Sequence, residues 1–99
     1  MKSIKYYVDA ISEEIEDAKE YAEKYVSCKA KGNMQSANTY KEMANDELKH
    51  ASYLHEFATK EIDELSKIFI APADMQEEWD KSHKAFVERT AWVRQMLAM

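Results

Sequence analysis

The sequence predicts an all-α protein, an antiparallel two-helix hairpin followed by a shorter C-terminal helix, and three observations carry that expectation. One Gly and one Pro in 99 residues leave almost none of the punctuation that strands and tight turns require. Ala, Glu, Lys, Leu and Met, all strong helix formers, dominate the composition. Apolar residues recur at threes and fours along the chain, the period of a helix with one buried face. The length allows one domain, with the hairpin over residues 1–70 and the last helix over 71–99 of the same domain. A chain this short buries only a modest core by itself, so a partner subunit is the natural supplement.

The first helix is expected from about Ser3, a plausible N-cap, to about Lys31, where Gly32 and Asn33 supply the left-handed geometry that ends helices. Ile4, Val8, Ile11, Ile15, Ala18, Ala22 and Tyr25 form its apolar stripe, with Asp9, Glu13, Glu16, Glu20 and Glu23 on the far side. The second helix starts near Met34 and runs to about Phe69. Its stripe is Ala37, Tyr40, Ala44, Ala51, Leu54, Ala58, Ile62, Leu65 and Phe69, so rich in alanine that another helix can come close. The short connection Lys31-Gly32-Asn33 forces the two helices antiparallel. Pro72 opens the third helix at its first turn, where a missing N–H costs nothing, and Met75, Trp79, Ser82, Phe86, Val93 and Met96 or Leu97 line its buried side.

A net charge of −5 with basic and acidic residues interleaved argues against nucleic acid or an anionic membrane as the main partner. The chain has no run of about 18 apolar residues and its first ten lack the apolar segment of a signal peptide, so a cytoplasmic location is expected. Cys28, the single cysteine, fits a reducing compartment and reads as a small helix residue. No Ser-His-Asp arrangement, glycine-rich phosphate loop or cysteine pair is present, which makes hydrolase and nucleotide chemistry unpromising.

The informative feature is a conflict in the second helix. At about 100° per residue, Glu47 falls within the apolar stripe between Ala44 and Ala51, and His50 lies at the stripe edge one turn on. An ionised Glu buried without a partner costs several kcal/mol or more, so a cation, a hydrogen-bonded network or protonation must compensate. The spacing Glu47-x-x-His50 lets a carboxylate oxygen and an imidazole nitrogen meet one metal ion. With thirteen Glu and three His in the chain the spacing alone is common, and its place in the stripe is what gives it weight. The alternative is an interhelical salt bridge or an interface hydrogen bond. Glu14, at the edge of the first stripe, is the matching carboxylate: it precedes the turn at Gly32 by about as many residues as Glu47 follows it.

Glu14-Ile-Glu-Asp-Ala18-Lys-Glu-Tyr21 and Asn45-Asp-Glu47-Leu-Lys-His50-Ala51 resemble the metal-site helices of the ferritin-like di-iron carboxylate family, which includes rubrerythrins, bacterioferritins and the small encapsulated ferritins. The resemblance covers about the first 70 residues. It implies iron ligation, and so the catalytic role, for Glu14, Glu47 and His50, with Glu47 bridging two metals and Tyr21 packed close behind. It also implies a di-iron cofactor, with manganese as the alternative metal, and Fe(II) oxidation or iron handling as the activity. Full ferritins carry two such helix pairs in one chain and this chain carries one, so the resemblance implies a homodimer or larger homo-oligomer in which two hairpins complete a four-helix bundle. An encapsulin shell is the further partner it brings into view, although no docking tail is seen after Met99. The rival expectation is a metal-free helical interaction or adaptor module that uses the hairpin as a dimerisation scaffold.

The remaining candidates are weaker. Asp80-x-x-His83 repeats the carboxylate–His spacing, but Asp80 points off the face marked by Trp79 and Phe86. His55 is expected at a stripe boundary, and Met43 near the site.

Overall fold

The computed structural model describes residues 4–67 and 73–99. It is all-helical, with α1 (Ile4–Ala30), α2 (Met34–Ser66) and α3 (Ala73–Leu97) and no strand among the described residues. At 25 residues α3 is nearly as long as the 27-residue α1, so the third helix is a full partner in the bundle. The expected cap at Ser3, the end of the second stripe at Phe69 and the start at Pro72 lie outside the described residues.

The α1–α2 turn shows why the hairpin closes where it does. Gly32 adopts φ +76°, a conformation open to Gly without a Cβ penalty. Its N–H donates to the Lys29 carbonyl at 3.0 Å and the Asn33 N–H donates to the Cys28 carbonyl at 2.9 Å, the paired bonds that cap a helix ending in a left-handed residue. Asn33 does not share the left-handed geometry. With φ −86° it serves as the N-cap of α2, its side chain accepting from the Ser36 N–H at 3.3 Å and satisfying one of the helix's first unpaired donors.

The core forms in two clusters stacked along the long axis. Nearest the turn, Ala18, Ala22 and Tyr25 of α1 meet Ala37, Ala44 and Leu48 of α2 and Val93 and Leu97 of α3. Away from the turn, Ile4, Tyr7, Ile11 and Ile15 meet Ala51, Ala58 and Trp79. Alanines at 37, 44, 51 and 58 are all fully covered, and their small side chains let α2 lie close against α1. The backbones of both other helices run close to α1, whereas the α2 and α3 backbones approach each other at few points and meet mainly through side chains. Arg89 of α3 reaches Ser12 at 3.2 Å and Glu16 at 2.9 Å, and Tyr7 donates to Glu61 at 2.8 Å, ties that fix α3 and the far end of α2 to α1.

Three buried residues fall outside the predicted stripes. Tyr7 is buried, with its hydroxyl satisfied by Glu61. Thr90 is buried because its Oγ1 donates to the Phe86 carbonyl at 2.7 Å, a bond within the helix that lets a polar residue sit among apolar ones. Leu48 takes the buried position next to Glu47, so Glu47 flanks the stripe instead of occupying its centre. No helix among the described residues is long and apolar enough to cross a membrane.

Candidate metal centre

The seam between the two core clusters falls between Ile15 and Ala18 on α1 and between Leu48 and Ala51 on α2, and Glu14 and Glu47 enter near that height from the two helices. Each sits one step off its helix's fully buried positions, so the carboxylates lie at the margin of the interface with their stems covered. His50, one turn beyond Glu47, completes the group. One ligand atom from each of Glu14, Glu47 and His50 lies within 4.8 Å of the others, the one such His, Cys, Asp or Glu triplet among the described residues.

His50 Nδ1 stands 3.5 Å from Glu14 Oε2 and 3.8 Å from Glu47 Oε2, close enough to attract and too far for a well-formed hydrogen bond. Glu14 Oε2 is buried and has no hydrogen-bond partner. Among the described residues, His50 is the one ion-pair partner of either carboxylate. The consequence is electrostatic: Glu47 holds its proton above the ordinary Glu range, because of a hydrogen bond shared with Glu14, then burial, then the Glu14 charge, with His50 acting in the opposite sense. Two carboxylates held together while one oxygen goes unsatisfied form an arrangement that a small cation would relieve. Oxygen donors with one imidazole are the set that iron(II) and manganese(II) accept.

The side chain of His50 is 55% exposed, against 28% for Glu14 and 21% for Glu47, so the group opens outward along α2. Met43 and Phe57 stand seven residues to either side of His50 on the same helix face, and Tyr53 lies one turn on. All three are exposed. Tyr21 belongs to the neighbouring layer: its ring stacks on Tyr40 with centroids 6.4 Å apart, two turns from Glu14 and, for Tyr40, two turns from Glu47. Asp80 accepts from Gln76 at 2.9 Å and lies apart from this group, while His83 pairs with His55.

The chain matches no protein-family model, no curated protein and no solved structure, and the functional reading stands on the geometry of the site.

Proposed function

We propose that the chain is a homodimeric, ferritin-like iron protein in which two hairpins face one another across their Glu14, Glu47 and His50 side chains and oxidise Fe(II). The observation that carries this reading is the converging triplet itself: two carboxylates and an imidazole within 4.8 Å, with Glu14 Oε2 buried and without a hydrogen-bond partner. One protomer offers two carboxylates and one imidazole, half of what a pair of iron ions takes in a helical-bundle site. A two-fold partner doubles the set. The exposed apolar side chains Met43, Tyr53 and Phe57 flank His50 on the open side, and a second copy laid there would cover them and the ligands together.

The chemistry then follows from the donors. Anionic oxygens and neutral imidazole stabilise the higher oxidation state of the bound substrate ions. Two Fe(II) ions supply one electron each to a dioxygen molecule, which takes up two protons and leaves as hydrogen peroxide. Glu14 and Glu47 hold the charge of the ions, His50 supplies a nitrogen ligand from the outer edge, and the Ala44, Leu48 and Ala51 wall limits water. Anaerobic Fe(II) loading followed by air, monitored by optical absorbance and metal analysis, tests the reading. Two irons per dimer and oxidation far faster than in buffer are expected, both lost in Glu47→Ala. Absence of bound iron and manganese in the unmutated protein would end it.

The same exposed stripe, with Trp92 also 58% exposed on α3, favours a second reading as a metal-free adaptor that docks partner helices. That module would show no change of melting temperature on adding Fe(II).

A further inference from the structure

A second pair of metal-ligating side chains lies at the other helix contact. His55 Nε2 of α2 and His83 Nδ1 of α3 face each other at 2.8 Å. The His55 ring is held in place: it stacks on Phe86 at 4.3 Å with a 16° tilt and lies 5.2 Å from Trp79. With the His55 proton on Nδ1 and the His83 proton on Nε2, the two facing nitrogens both present the lone pair that a metal requires. Nitrogens bound to one ion at about 2.0–2.1 Å stand about 3 Å apart at a right angle and about 3.4 Å apart in a tetrahedron. The observed 2.8 Å spacing needs about 0.2 Å of opening for the right angle and about 0.6 Å for the tetrahedron. His55 and His83 also line a groove of about 400 Å³ whose walls include Asp63 and Asp80. Neither carboxylate is within ligating distance of both imidazoles, but both add negative potential to the groove.

We propose that His55 and His83 form a second metal site that takes a late first-row divalent ion, zinc being the test ion, on two imidazole nitrogens, and that the ion clamps α3 to α2. Its chemistry separates it from the carboxylate-rich triplet. Two nitrogen donors with water completing the shell favour zinc, nickel or copper over manganese or magnesium. The clamp sits where it matters mechanically, because the α2 and α3 backbones approach each other closely at few points. This inference does not rest on the iron reading.

The experiment is zinc binding by equilibrium dialysis and thermal melting in Glu47→Ala/His50→Ala protein, which removes the first site. One zinc per chain and a zinc-dependent rise in melting temperature of several degrees are expected in that background. Adding His83→Ala should weaken zinc binding at least tenfold and abolish the rise. His83 is exposed, so its replacement leaves the fold intact, whereas His55 packs on two aromatic rings and is the poorer choice. No zinc bound by the double variant, or the same affinity after His83→Ala, overturns the site.

Discussion

Replacing Glu47 by Gln should make the metal-free protein more stable while weakening the proposed binding of iron at the triplet. The carboxylates of Glu14 and Glu47 stand no more than 4.8 Å apart. Two unit charges at that distance repel by about 0.9 kcal/mol in a water-like medium and about 3.5 kcal/mol at an effective dielectric of 20. Both side chains keep some solvent access, so the lower end applies, about 1 kcal/mol. Gln keeps the shape, removes one charge and offers an N–H to Glu14 Oε2, which lacks a hydrogen-bond partner. For a domain of this size about 1 kcal/mol moves Tm by roughly 4–8 °C. Thermal melts after chelation, at mildly alkaline pH, should show that rise in Glu47→Gln. The sign is further checked by pH. Because the folded pKa of Glu47 is raised, the destabilisation is absent below the ordinary Glu range and develops as pH climbs through the raised value, so the two proteins should converge in acid. A lower Tm for metal-free Glu47→Gln at alkaline pH would refute the argument, since it would mean the charge is stabilised by its surroundings.

Ala44, with no exposed surface, spaces α2 from α1, and Ala44→Leu should cost about 1–3 kcal/mol by overpacking, read as a lower urea midpoint with an unchanged slope. Tyr7→Phe removes the donor to Glu61 Oε1 beside an Oε2 that already lacks a partner, and should cost about 1–3 kcal/mol in the same assay. His55 has a folded pKa below the ordinary His value, so the unfolded chain binds its proton more readily. Stability of the chelated protein should be flat above the ordinary value of about 6.5, fall as pH drops below it and level off under the folded pKa. Melts of unmutated and His55→Asn protein across that range should show the fall in the first and a flatter profile in the second.

Much of the scaffold was legible because helical periodicity and alanine spacing are local signals. Ile11, Ile15, Ala18 and Ala22 on one side and Ala37, Ala44, Ala51 and Ala58 on the other repeat at intervals that only a helix places on one face, and the lone Gly32 marks the turn. The candidate site was legible in outline for the same reason: once the turn is known, opposed positions on a hairpin can be counted. What escaped was finer than a third of a helical turn. Glu47 and Leu48 are neighbours about 100° apart, and the periodicity of Ala44, Ala51 and Leu54 did not decide which of the two is innermost. Thr90 reads as polar until its hydroxyl is seen bonded to its own helix. The His55–His83 contact could not be anticipated, because it depends on how α3 slides along α2, and no short turn of known geometry fixes that register.

The Cα envelope measures 55 × 19 × 16 Å, a rod only about two helix diameters across. In such a body the described residues lie within about one side chain of bulk water, so an ion needs no tunnel to reach Glu14 and Glu47. If two hairpins close on one another as proposed, lasting retention is a property of that closure, and protein concentration becomes the control: dilution that splits such an assembly should release the ion even though each chain stays folded.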